Sequence, residues 1–353
     1  MGLTIVKNYG KKNTRKQKLE TVQTLERKII MSHGLDAVGS GMFSARKMVP
    51  WHNHPSCKVI DTVATIEEGI KLAKMDWTVN KEPTFLRDGR ESGAYALVRS
   101  DNNIILGAGV GEMYTPLQNK YAFQWFQPFL DSKEVVLDTA GALHGGQKVW
   151  VLAKIKRDNE QITPNDEVEK YLMLSNSHDG TTAVRVGFTP IRVVCANTLA
   201  MAHTKGNREN NLIRIRHHKD VEINLERVRD IVNAVDTEFK ATAEQYRTLA
   251  HRNINQNDLR QYVKVVFGME PKTGKTELST RSKNVLEKII GIFENDRNEK
   301  VAGANYWTAY NAVSEYLNYD RGHNVDSRLN SLWFGQSSML NKDAFETALA
   351  LAT

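Results

Sequence analysis

The 353-residue sequence is poor in cysteine, with two, and in proline, with eight, and no apolar run approaches the roughly 18 residues that a membrane-crossing helix requires. Cys57 and Cys195 lie far apart, with no Cys-x-x-Cys pair and no metal-finger spacing. A disulfide framework and a structural zinc site are therefore not expected, and a reducing compartment fits. The first thirty residues lack the apolar stretch and cleavage site of a secretory signal. These absences lead to the expectation of a soluble, cytoplasmic protein with no membrane partner. At 41% hydrophobic and 25% charged residues, the chain can build one large or two ordinary globular cores, which excludes a disordered or fibrous protein.

The net charge of +7 is unevenly spread. Residues 1–30 carry eight Lys and Arg against two Glu, leaving 40 basic and 39 acidic residues in the rest. This segment reads as a basic N-terminal arm. Within the near-neutral remainder, residues 185–219 hold Arg185, Arg192, Lys205, Arg208, Arg214, Arg216 and Lys219 against the single acid Glu209, with His203, His217 and His218 interleaved. Such a stripe can neutralise successive phosphates and release their counterions; a solvated face with both signs mixed is the plainer alternative.

Hydrophobic patterning gives an α+β protein: antiparallel sheet with helices in the N-terminal and central part (31–220), then a helical C-terminal lobe (221–353). Thr65-Ile-Glu-Glu68 is a capping box that starts a short helix. Strands over 77–86, 94–98 and 104–110, separated by Asp88-Gly89 and Asp101-Asn102-Asn103 turns, predict a meander. Asn119 can cap a helix carrying Tyr121, Phe123, Trp125, Phe126 and Phe129, which Pro128 should bend or end. The strand 147–156 has Val149, Val151, Ala153 and Ile155 on one face and Lys148, Trp150, Leu152, Lys154 and Lys156 on the other, one apolar and one cationic with an aromatic. Strands at 169–174 and 182–188 joined by Ser177-His-Asp-Gly180 predict a hairpin. From Asn224 onward the spacing is helical for about 28 residues, and helices are expected near 281–293, 303–318 and 341–352, with a linker at 268–280.

Several patterns that suggest chemistry fall short of it. Gly268 to Thr276 superficially resembles a phosphate-binding loop, but Met269 stands where the first glycine should be and no acidic strand end follows, so no nucleotide cofactor is expected. His52, His54, His144, His178 and His203, with Asp138 and Asp179, could serve a metal nuclease, yet none has diagnostic spacing. For His178-Asp179-Gly180 an Asx turn is the bland reading, and Cys195, in an apolar run, reads as packing. No catalytic residue and no metal ligand is assigned.

The run Ser175-Asn-Ser-His-Asp-Gly180 leading to Phe188-Thr-Pro-Ile-Arg-Val-Val-Cys-Ala-Asn-Thr-Leu-Ala-Met-Ala202 resembles the signature of a phage/plasmid-like protein family that carries a domain of unknown function. So do Met113-Tyr-Thr-Pro-Leu-Gln-Asn119, Gly145-Gly-Gln-Lys-Val-Trp-Val-Leu-Ala-Lys154, and Trp307-Thr-Ala-Tyr-Asn-Ala-Val-Ser-Glu-Tyr316 with Arg328 and Phe334-Gly335. The resemblance runs from about Met31 to the C-terminus. It implies a bacterial host cell and a role in a phage, prophage or conjugative plasmid, and no settled activity.

Two functions of different class follow. The first is a non-enzymatic protein that binds single-stranded DNA and anneals strands during recombination or replication, acting as a homo-oligomer. Its contact residues would be Lys148, Trp150, Lys154, Lys156, Arg185, Arg192, Lys205, Arg208, Arg214 and Arg216, with Trp150 as a stacking platform for bases; the equal alternative is that a C-terminal helix covers Trp150 and the lysines are merely solvated. The second is a metal-dependent nuclease or other nucleic-acid enzyme using His178 and Asp179. A virion structural protein is a lesser third.

Overall fold

The computed structural model describes residues 41–45, 57–61, 65–156, 159–192, 212–232, 235–271, 277–294, 302–322 and 325–353. The basic arm, His52, His54, Cys195, His203, Lys205, Arg208 and part of the 268–280 loop lie outside them. The fold is α+β, with antiparallel sheets followed by helices at the C-terminus.

The expected meander is a three-stranded antiparallel sheet of β3 (Val79–Phe85), β4 (Glu91–Arg99) and β5 (Ile105–Val110). Ahead of it, α1 (Ile66–Leu72) begins at the expected cap, where Thr65 Oγ1 accepts from the Glu68 amide at 3.1 Å. The aromatic segment splits into α2 (Asn119–Gln124) and α3 (Gln127–Asp131), because Pro128 tolerates only the first turn of a helix.

The large sheet runs in the order β11 (Leu212–Ile215), β10 (Val184–Arg192), β9 (Asp166–Ser177), β7 (Lys148–Ile155), β6 (Val135–Leu143), β1 (Met42–Ser44), β2 (Cys57–Val59), with β8 (Glu160–Thr163) also on β9. Only β1 and β2 pair in parallel among these described strands. Strand β6 was not predicted from the sequence: Val-Val-Leu and Thr139 favour a strand, but Asp138 and Ala140-Gly141-Ala142 are of low strand preference and interrupt the signal. The glycine is needed there, since a Cβ on Gly141 would sit 2.6 Å from the Trp150 ring.

The C-terminal lobe contains α4 (Val221–Val232), α5 (Val235–His251), α6 (Gln256–Val266), α7 (Thr280–Phe293), α8 (Tyr306–Glu315), α9 (Val325–Phe334) and α10 (Gln336–Ala352). The helical spacing expected from Asn224 is described as α4 and α5, with residues 233–234 between them outside the described residues. Helices and sheet share one apolar core: Phe239, Tyr246, Trp307, Tyr310 and Phe345 belong to the same cluster as Val151, Leu172 and Leu174. Two indole donors close this junction, Trp307 Nε1 to Asp166 Oδ2 and Trp125 Nε1 to the Leu225 carbonyl, both at 2.8 Å. Arg247 ties α5 to β8 through Glu160 Oε2 at 2.7 Å and the Gln161 carbonyl at 2.8 Å.

Candidate functional site

Strand alternation sorts the residues of β7 as the sequence predicted, but neither face is open. Val149, Val151 and Ala153 enter the main core, while Trp150 and Leu152 join a second cluster with Met42, Leu143, Tyr171, Met173, Ile191 and Trp333. Trp150 is 0% exposed, so the expectation of an exposed stacking platform is corrected: in this arrangement no base can reach the ring. The reason is that Trp333, at the end of α9, covers it. Lys148 and Lys154 are not free cations. Lys148 pairs with Asp179 at 3.0 Å and Lys154 with Glu169, whose Oε2 also accepts from the Tyr171 hydroxyl at 2.7 Å.

The remaining predicted cations are more open. Lys156, Arg214 and Arg216 are exposed, and Arg185 is half-buried with one guanidinium nitrogen donating to the Trp333 carbonyl at 3.4 Å. Register places Arg185 directly opposite Arg214 on β11 and opposite Ser175 on β9, and Ser175 opposite Trp150 on β7. The sheet thus brings Trp150, Arg185 and Arg214 into one transverse row, because directly opposed residues of antiparallel strands share a face. Lys219 is also exposed just beyond β11, the last strand of the described order. Arg192 lies in β10 with its side chain outside the described residues, as are Lys205 and Arg208 entirely.

Where the two sheets meet, the Ser177–Thr181 turn builds a second centre. The Asp179 carboxylate accepts from the Thr181 amide at 2.9 Å, which makes the expected Asx turn, and also from the hydroxyls of Ser177 and Thr181. Lys148 Nζ donates to the same carboxylate, to Thr181 Oγ1 and to Ser177 Oγ at 3.3 Å. Burial alone would raise the Asp179 carboxyl, but these donors outweigh it and hold it below the ordinary carboxylate value. The Phe334 ring lies 5.6 Å from the Lys148 ammonium, within cation–π range.

His178 is fully buried, its ring edge-on to Trp77 at 5.4 Å. Asn119 does not cap α2 as expected; Gln118 holds that position. The Asn119 amide nitrogen instead donates to the carbonyls of Met75, at 3.2 Å, and Trp77, at 3.4 Å. Its oxygen must then accept from His178 Nε2 at 3.0 Å, which fixes the Nε2–H tautomer and leaves Nδ1 a buried acceptor without a donor. Burial, reinforced by the nearby His217, pushes the His178 pKa down to about 3. His217 stacks on Tyr114 at 4.8 Å and is also shifted down by burial, as is His144. Arg99, 0% exposed, donates to the Gly145 carbonyl at 2.6 Å, pairs with Asp101 and lies 4.2 Å over Trp77. The junction is a polar network held together from both sheets.

This geometry bears on acid–base and metal chemistry. His178 is neutral and hydrogen-bonded to Asn119, and Asp179, the other residue of the nuclease alternative, is held by Ser177, Thr181 and Lys148. Among the described residues no group of three or more His, Cys, Asp and Glu side chains comes together to hold a metal ion. Cys57, partly buried beside the Trp150 cluster, has its thiol pushed up to about 11 by burial and is not an activated nucleophile. Sequence reasoning missed Trp333 and Arg99 and gave Asn119 another role. The signal for the first was the Trp333-Phe334-Gly335 break between two helices; the others are set by long-range contacts that leave no spacing in the sequence.

The family described as Domain of unknown function (DUF932) matches residues 108–333. The chain belongs to this family. The matched span runs from β5 to the end of α9, so it contains the Ser177–Thr181 turn, the β7 face, the basic edge strand and Trp333. No curated protein and no solved structure matches the chain. Among the described residues no helix is long and apolar enough to cross a membrane.

Proposed function

We propose that this protein binds single-stranded DNA and anneals strands without catalytic turnover, serving recombination or replication of a phage or plasmid as a homo-oligomer in the bacterial cytoplasm. The observation that carries the reading is the basic edge of the large sheet: Arg214 and Arg216 are exposed on and just after the last strand of the described order, within the one strongly unbalanced charge stripe of the chain body. Two arginines two residues apart on a strand lie about 6.6–6.8 Å apart, comparable to the spacing of successive phosphates in an extended single strand. Such contacts act on backbone phosphate and give affinity irrespective of sequence. A short edge reaches only a few nucleotides, and repetition of the site in an oligomer supplies the span that annealing requires.

The test is to mix labelled complementary strands with the protein, with and without magnesium or manganese, and resolve the products. Faster duplex formation without shortening is expected. Metal-dependent shortening would replace this reading with the nuclease, and no effect on either strand would contradict it.

A further inference from the structure

Beside the basic edge lies a sheet face built from seven buried sheet residues, with Trp333 and the adjoining Phe334 of α9 packed on it. The cap differs in kind from the cover on the opposite face, which comes from several helices and many side chains. On the capped face, Trp150 Nε1 and Ser175 Oγ, paired in register across β7 and β9, are buried polar atoms with no hydrogen-bond partner. A buried donor and a buried hydroxyl left unsatisfied side by side are unfavourable unless something else supplies their partners. The cations of this face are already turned toward the cap: Arg185 donates to the Trp333 carbonyl and Lys148 lies under the Phe334 ring.

An indole packed in one cluster with Trp150, next to unsatisfied polar groups and with Arg185 and Lys148 at its end of α9, stands where a nucleobase could bind on a single-strand binding surface. A base carries both a π-face and ring or exocyclic acceptors that an indole N–H and a hydroxyl can address, whereas Trp333 offers them none. We infer that the Trp150–Ser175–Arg185 row is a nucleobase-binding site that Trp333 occupies in the unliganded protein, and that a base of single-stranded nucleic acid enters it by displacing the end of α9. The inference rests on the proposed single-strand binding, with Arg214 and Arg216 holding the phosphates next to the site. The end of α9 meets α10 at Gly335, whose extended backbone breaks the helical path, and Ser331 Oγ accepts from the Ser337 amide at 3.0 Å across the break, so displacing Trp333 also opens this contact.

The experiment compares the full chain and its Trp333→Ala variant for binding to oligo(dT) and to an oligomer of the same length with abasic sugars. Phosphate contacts are common to both probes, and only the first has bases. Trp333→Ala should tighten oligo(dT) about tenfold and leave the abasic oligomer unchanged. Equal affinity of variant and unaltered protein for oligo(dT) would overturn the site while leaving single-strand binding intact; absence of binding to both probes in both proteins would overturn both readings. Because Trp333→Ala could unfold the chain, the unaltered protein is also cross-linked to 4-thiothymidine-substituted oligo(dT). Cross-links in the 148–154 peptide are expected, and cross-links confined to other peptides would contradict the site.

Discussion

The two faces of the large sheet are buried by different means. One packs Val151, Leu172, Leu174, Val184 and Val186 against a helical lobe that continues the same core through Trp307 and Phe345. The other packs Trp150, Tyr171 and Met173 with Trp333 and Phe334 of α9 and carries Lys148, Arg185 and Arg214 in its strands. Apolar alternation is common to both; what separates them is the presence of paired cations and unsatisfied polar atoms on the second. The first face supplies the stability of the fold, and the second combines burial with groups that have other uses.

The largest expected effect comes from breaking the pair at the end of the second face. Lys148→Met leaves the Asp179 carboxylate partly buried without its counter-charge, and should cost about 3–5 kcal/mol in urea unfolding. The Lys148→Met, Asp179→Asn double variant should recover part of that loss; if it recovers none, the network serves something other than charge compensation. On the first face, Leu174→Ala removes a fully buried side chain from the main core and should cost about 3 kcal/mol. An unchanged denaturation midpoint would show that the first face is not the structural one.

A smaller effect separates the junction from both faces by its pH dependence. His178 has its pKa depressed from 6.5 to about 3 in the folded chain, so the unfolded chain binds a proton that the folded chain does not. The contribution is therefore complete above pH 6.5 and is lost as pH falls from 6.5 toward 3, at about 1.4 kcal/mol per pH unit for one proton. His144 and His217 are shifted in the same direction and steepen the loss. His178→Gln keeps a donor toward Asn119 and removes the titration, so its midpoint should vary less between about pH 6.5 and 4. An equally steep slope would assign the acid sensitivity elsewhere.

Local chemistry made much of this arrangement legible in the sequence. The capping box at Thr65, the break at Pro128, the meander and the hairpin at Ser177–Gly180 each formed where local rules place them. Period-two alternation also separated Val149, Val151 and Ala153 from Trp150 and Leu152 correctly. It could not say what lies over each face, since alternation describes a strand and cover is supplied from far along the chain, at Trp333. The same limit applies to Lys148 and Lys154, whose partners Asp179 and Glu169 come from neighbouring strands and turns. Asn119 read as a cap because helix position was the only signal available; its buried bonds to Met75, Trp77 and His178 are tertiary.

The least disruptive change should also be the most informative. Arg214 and Arg216 are exposed, so Arg214→Ala with Arg216→Ala should leave the denaturation midpoint within about 0.5 kcal/mol of the original. Binding of oligo(dT) across a series of salt concentrations then measures how many phosphates the sheet edge neutralises. The unaltered protein should show log affinity falling linearly with log salt, and the double variant a slope smaller by about 1.4, near 0.7 for each lost phosphate contact on a single strand. A flat salt dependence in the unaltered protein, or identical slopes in the two, would contradict a nucleic-acid interface on this edge.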